Sequence, residues 1–237
     1  MRSLDSMKGG EPIKMTPKRE KWRNFKVESH PTLDIYNNLA KSYDKTNQMM
    51  EFVLSKARSI FSVIKGDVLE VGAGTGINLK HYNPEAKIIA LDWSNEMLSQ
   101  AHFKVKKYSL DNIKEIIVGD IQKLSDYFDP ESFDYITSSC VFCSVPNPIS
   151  ALKEVSKVLK PSGKLIQIEH GLSTIKPINM WLKFFDPYTS KRLGFHLNRN
   201  HIRNLENSGF EVTYQSNIDP TGIFRLLISK KSLKYKI

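Results

Sequence analysis

Residues Gly66–Ile77 read GDVLEVGAGTGI, and the fold is decided by how they are read. Val68, Leu69 and Val71 form a short apolar run, the signature of a strand buried on both faces. Gly72, Gly74 and Gly76 follow at alternate positions, and polar residues lead on to Asn78 and Leu79. A strand that breaks into a glycine-rich turn and then a helix brings bare backbone and a helix N-terminus against a ligand. A dinucleotide site needs G-x-G-x-x-G for close approach to a pyrophosphate. Here the third glycine comes one residue early, and Ile77 stands where it should be. Glu70, just before the turn, would repel a pyrophosphate and suits a cation. Together these features favour a ligand with positive charge and no phosphate.

S-adenosylmethionine, with its ammonium and sulfonium, fits that description. The stretch resembles motif I of the class I S-adenosylmethionine-dependent methyltransferases. Taken alone, a structural glycine turn in another α/β protein stays open as the alternative. Three further segments extend the resemblance. Lys87–Leu91 (KIIAL) reads as a second buried strand ending at Asp92. A carboxylate there accepts two hydrogen bonds from a ribose diol, and charge-assisted bonds are the stronger kind. The distance from Gly76 to Asp92 suits an intervening helix and strand. Trp93 is placed to pack on adenine, and Ser94 caps a helix through Met97, Leu98 and Ala101. The segment LDWSNEML resembles the family's second motif. Glu115–Val118 (EIIV) is a third strand, followed by Asp120 and Ile121. The resemblance implies that this pair reads adenine, through the Asp120 carboxylate and the Ile121 amide.

Phe133–Thr137 (FDYIT) begins a fourth strand with Ser138 and Ser139 at its carboxyl end, the edge where doubly wound sheets bind ligands. By resemblance Ser139 lies beside the cofactor, and residues 140–145 line the methyl-transfer cleft. The resemblance also extends Glu70, Gly72, Gly74, Thr75, Gly76 and Met97 as cofactor contacts. Asn147–Leu159 is an amphipathic helix; Pro161 and Gly163 form a turn, and Lys164–Glu169 a fifth strand. His201–Asn207 is a helix stopping at Gly209. Phe210–Gln215 and Gly222–Ser229 are the last strands, a hairpin around Asp219 and Pro220. Upstream, Thr32–Lys65 carries apolar residues at helical spacing and reads as one or two helices. Its AKSYDKTN segment resembles the A-x-x-Y-D-x-x-N of the ubiquinone/menaquinone biosynthesis branch. By that resemblance Tyr43 closes over the cofactor; a core aromatic of the helix is the other reading. EHG, FFDP and GFHLNR further resemble that branch and the related lipid- and thiol-directed members.

The expected fold is α/β: a doubly wound seven-stranded sheet, Rossmann-like, last strand antiparallel, with N-terminal capping helices. Residues 1–31 are expected to be a disordered basic arm, and 32–237 the methyltransferase domain. The chain has 237 residues and a formal net charge of +10. That charge invites a nucleic-acid or anionic-membrane partner. The lysines are dispersed, however, and runs such as Lys104, Lys106 and Lys107 also read as solvated helix faces. No apolar run is long enough to span a bilayer. Cys140 and Cys143 lack a second pair for zinc, so no metal site is expected. Their spacing also matches a redox motif, but the apolar setting points to burial in a reducing compartment. The arm has no apolar secretory segment, so an intracellular protein is expected, with cytoplasm and mitochondrion both open.

Methyl transfer is an in-line displacement at an already activated sulfonium carbon, so alignment and desolvation supply much of the rate. A base is needed only if the acceptor loses a proton. His170 and His196 are candidates for it, and structural histidines are the alternative for both. Cys140, Trp181, Asn198 and Arg199 are candidate acceptor contacts. No N-P-P-[YF] follows the fourth strand, where SSCV stands, which lowers the case for nucleic-acid methylation. The expected activity is methyl transfer to a small, lipophilic acceptor, with the Trp181–Tyr188 aromatics supplying either an apolar lid or a membrane-touching surface. The alternative is a non-catalytic or RNA-directed protein of this fold, acting as a nucleic-acid-binding or assembly subunit.

Overall fold

In the computed structural model, which describes residues 28–233, the quoted stretch becomes β1 (Gly66–Val71) and the turn after it. Val68, Leu69 and Val71 are fully buried, because β1 has a parallel neighbour on each side. These are β2 (Ala86–Asp92) and β4 (Phe133–Ser139). β3 (Ile113–Val118) extends the sheet beyond β2, and β5 (Leu159–His170) extends it beyond β4. β6 (Phe210–Asn217) and β7 (Phe224–Lys231) complete the order β3-β2-β1-β4-β5-β7-β6. β7 runs antiparallel to β5, as expected. Chain order reverses between β1 and β4, so a crevice opens at their carboxyl ends.

Strand alternation sends successive side chains to opposite faces, and each face has its own core. Leu69, Val71, Leu91 and Ile136 pack with Phe142, Leu152 and Val155. Val68, Ile88, Ala90 and Ile168 pack with Phe61, Leu79, Leu98 and Ala101. The first layer holds α6 (Pro148–Val158) and the second α4 (Asn95–Tyr108). Ser94 caps α4 by accepting from the Met97 amide, as its sequence position indicated.

Three local expectations change. First, the segment after the glycine turn forms only a 3-10 turn, Leu79–His81, and not a full helix. Pro84 biases Asn83 against helical backbone, and β2 starts two residues later. The 3-10 helix Ala57–Val63 packs against this turn, and its Phe61 stacks on Tyr82 with ring centroids 4.9 Å apart. Second, Thr32–Lys65 divides into α1 (Pro31–Leu39), α2 (Tyr43–Thr46), α3 (Gln48–Leu54) and that 3-10 helix. Its first helix starts before the expected domain boundary, with the His30 side chain accepting from the Thr32 amide. The rest of the expected arm, residues 1–27, lies outside the described residues. Third, the Pro161–Gly163 turn is a register shift inside one continuous β5, because pairing jumps from Phe133–Leu159 to Tyr135–Lys164.

The remaining helices are α5 (Leu124–Tyr127), α7 (Lys176–Arg192) and α8 (His201–Asn207). The chain leaving β4 is pinned by Glu169 on β5. One carboxylate oxygen accepts from the Val141 amide at 3.1 Å, the Phe142 amide at 3.2 Å and the Ser138 hydroxyl at 3.1 Å. Replacing Glu169 with Ala orphans all three donors, and each buried unmet donor costs about 1–3 kcal/mol. Urea unfolding of Glu169→Ala is therefore expected to show a loss of roughly 3 kcal/mol or more, with Glu169→Gln, which keeps an acceptor, losing much less.

Candidate active site

The glycine turn is left-handed at each of its three glycines, with φ of 62°, 55° and 76° at Gly72, Gly74 and Gly76. A Cβ on Gly74 would meet nothing within 4 Å, so that backbone is bare toward open space. A Cβ on Gly76 would meet Ala101 of α4 at 2.9 Å, so that glycine serves packing. Asp92, at the end of β2, ties the turn in place. Its two oxygens accept from the Gly74 amide at 2.8 Å and the Ser94 amide at 2.9 Å. Burial pushes its carboxyl up to about 6, while the Ser94, Gly74 and Trp93 amides pull it back.

One cavity brings together Tyr43, Gly72, Gly74, Asp92, Trp93 and Met97 with Asp120, Ile121, Ser139 and Cys140. Asp120 caps the 3-10 turn Ile121–Lys123 by accepting from the Gln122 amide at 2.8 Å. Bare backbone at Gly74, a buried carboxylate at Asp92 and a second carboxylate at Asp120 fit a nucleoside ligand with a diol and no phosphate.

Three predicted contacts stand behind the cavity instead of lining it. Glu70 has no exposed surface and accepts from the Asn78 side-chain amide at 2.6 Å. Asn78 in turn accepts from the buried Arg58, which pairs with Glu51, and lies 3.5 Å from the Ser139 hydroxyl. Burial pushes the Glu70 carboxyl up to about 7, with Asn78, Tyr82 and Arg58 pulling it back. Thr75 bonds Asp44 of α2 at 2.5 Å, and Lys104 of α4 bonds both. That lysine is thus an internal clamp and not part of a solvated run. Gly76 packs on α4, as described.

Neither candidate base lines the cavity. His170 is buried with its ring edge-on to Phe195 and Phe224, and burial pushes it down to about 4. His196 is held by Asp186 at 3.0 Å, and its amide donates to the Cys143 carbonyl. Of the candidate acceptor contacts, only Cys140 reaches the cavity. Trp181 is exposed on α7, the Asn198 amide is held by Asp186, and Arg199 donates to the Val145 carbonyl beside a second cavity. Burial pushes the Cys140 and Cys143 thiols well up, with Glu169 adding to the effect, so neither is a ready thiolate.

Val141, Ser144 and Val145 fall within the stretch 140–145 expected to line the cleft, whereas Tyr36 and Pro146 were missed by sequence reasoning. The Tyr36 hydroxyl meets Ser144 at 2.7 Å, and both line the cavity with Val141, Val145 and Pro146. Cys140 holds the left-handed φ of 55°, uncommon away from glycine, where the chain turns off β4. Asn37 of α1 bonds the Ser94 hydroxyl at 2.6 Å. The capping helices are therefore fastened over the cavity by Asn37, Tyr36 and Asp44, three contacts made across long sequence separations.

The methyltransferase domain family model matches residues 69–167. The phosphatidylethanolamine N-methyltransferase of Cereibacter sphaeroides is 30% identical over 162 residues, covering 68% of this chain and 78% of that protein. The demethylmenaquinone methyltransferase of Listeria welshimeri is 32% identical over 164 residues, covering 65% of this chain and 67% of that protein. In fold, the chain matches one from the solved complex of the Haloferax volcanii Trm112 methyltransferase activator with a methyltransferase. The TM-score is 0.66 at 17% identity, over 83% of this chain and 97% of the other. The chain belongs to the class I S-adenosylmethionine-dependent methyltransferases, and S-adenosylmethionine is its methyl donor.

The Glu70 carboxyl titrates near 7 in the fold against an ordinary 4.5, so the folded chain holds that proton more tightly than the unfolded one. Its contribution to stability is fully present below the ordinary value and is lost as pH rises through about 7. Glu70→Gln keeps an oxygen for Asn78 but has no charge to bury. Urea midpoints should show it close to wild type near pH 5 and more stable than wild type near pH 8. A variant whose difference from wild type is the same at both values would disprove this account.

Proposed function

We propose that this methyltransferase acts on a small lipophilic acceptor of the quinone or phospholipid kind. The observation that carries this reading is the wall contributed by the chain after β4. Cys140, Val141, Val145 and Pro146 are apolar or carry a neutral thiol, and the polar groups beside them are the uncharged hydroxyls of Tyr36, Tyr43, Ser139 and Ser144. Such a surface suits an apolar ring or chain better than a polyanion. Phosphatidylethanolamine and demethylmenaquinone, the compounds in the relatives' names, are both lipids.

In this reading Asp92 holds the ribose diol, Asp120 and the Ile121 amide read adenine, and Trp93 packs beside it. The bare backbone at Gly72 and Gly74 receives the methionine portion. Glu70 acts through Asn78 as a positioning residue. Tyr36 and Tyr43 close the cavity from the capping helices and exclude water. Bound S-adenosylmethionine supplies the activated methyl group; the chain's part is alignment and desolvation, with no side chain assigned as base. The non-catalytic and RNA-directed alternative gains nothing from relatives that are named as enzymes.

Two measurements test this reading. In calorimetry, Asp92→Asn should weaken donor binding by roughly 1.5–3 kcal/mol, the worth of hydrogen bonds to a charged group. Wild-type affinity should be flat above about pH 6, where Asp92 is ionised, and fall about tenfold per unit below it. The variant should lack that slope. With radiolabelled donor and cell extract, label should enter the organic-soluble fraction. Label confined to RNA or protein would overturn the acceptor class while leaving the donor site intact.

A further inference from the structure

α7 is built inside out. Among its 17 residues the one acid, Asp186, is buried. It accepts from the Leu197 amide at 2.7 Å and the Asn198 amide at 3.1 Å, and it holds His196. Asn179 also turns inward, bracketing Ser173 with two hydrogen bonds. The outward side carries the apolar groups: Met180 is 69% exposed, Trp181 60%, Phe184 73% and Tyr188 62%. Phe185 stacks with Trp181 at 6.1 Å and meets Phe184 edge-on at 5.3 Å, so the aromatics form one ridge. A helix on a water-facing surface normally shows the reverse arrangement, and an exposed apolar patch of this kind marks a docking surface.

The charge beside the ridge says what covers it. Lys176, Lys183, Lys191 and Arg192 are all exposed on the same helix, and no acid of α7 faces solvent. A second copy docking through this face would set four cations against four. A bilayer with anionic headgroups offers the complement: hydrocarbon boundary for Trp, Tyr, Phe and Met, and negative charge for the basic side chains. No helix of the described residues is long and apolar enough to cross a membrane, so α7 would lie along the surface. We infer that the exposed aromatic face of α7 docks this protein on an anionic membrane surface.

The place of α7 gives the docking a use. The chain leaves α7 at Gly194, where an added Cβ would lie 3.2 Å from Thr32 and 3.4 Å from Tyr36 of α1. Tyr36 lines the methyl-donor cavity. Docking thus brings the capping helix of that cavity next to lipid, and an acceptor dissolved in the bilayer has a short way in. This use rests on the lipophilic-acceptor reading; the docking itself rests on α7 alone.

The test is flotation of the full chain, without methyl donor, with vesicles of phosphatidylcholine alone or mixed with phosphatidylglycerol. The chain should float with the mixed vesicles, less with phosphatidylcholine alone, and less again as salt is raised. Met180→Ser combined with Phe184→Ser should cut vesicle affinity at least about tenfold. Both side chains are exposed, so the thermal midpoint and the affinity for S-adenosylmethionine should stay at wild-type values. Wild type that floats with neither vesicle, or a double variant that floats as well as wild type, overturns the inference. So does sedimentation showing a wild-type dimer that the variant dissolves, which would assign the face to a second copy. Donor calorimetry separates these failures from a failure of the enzyme reading, because it reads the cavity and not α7.

Discussion

The rest of the site depends on one buried carboxylate holding two strand ends together. Asp92 closes β2 and accepts from Gly74, in the turn that closes β1, and from Ser94, which begins α4. Without those bonds the left-handed turn would carry an unmet amide beside the core, and α4 would start without its anchor. The carboxylate that shapes the turn also lines the cavity the turn helps to enclose.

Asp92 is one of three such acids at the carboxyl edge of the sheet, with Glu70 on β1 and Glu169 on β5. Burial raises all three. Each costs free energy to ionise in the fold, and each is surrounded by donors that offset part of the cost. Asn78 serves Glu70, backbone amides serve Asp92, and two amides with a hydroxyl serve Glu169. The return is order in loops that would otherwise leave the sheet edge unconstrained: the glycine turn, the start of α4 and the left-handed exit from β4 at Cys140.

Above that edge the capping helices add little regular structure of their own. α2 is a single short turn, yet Asp44 within it reaches Thr75 and Lys104, while Asn37 and Tyr36 of α1 reach Ser94 and Ser144. The cap is therefore fastened by polar contacts as well as by the packing of Leu33, Ala40 and Leu54. α7 continues this side of the molecule with its apolar ridge turned to solvent, next to the cap at Gly194.

The parallel core was legible in the sequence because its signals are local: apolar runs, glycines at alternate positions, an acid at the end of a strand. Those signals located β1 to β5, the cavity carboxylates Asp92 and Asp120, and the closing hairpin. Tertiary structure alone decided what depends on distant partners. Glu70 precedes the turn in sequence, but strand alternation points it into the core, where Asn78 meets it. His170 ends a strand at the ligand-binding edge, yet its ring is packed between Phe195 and Phe224. Tyr36 gave no more than a helical apolar spacing until folding set it against Ser144, and Trp181 could be read as a pocket or a surface aromatic until the inward anchoring of Asp186 turned its face of α7 outward. Periodicity fixes which residues share a face of an element; only packing fixes which way that face looks.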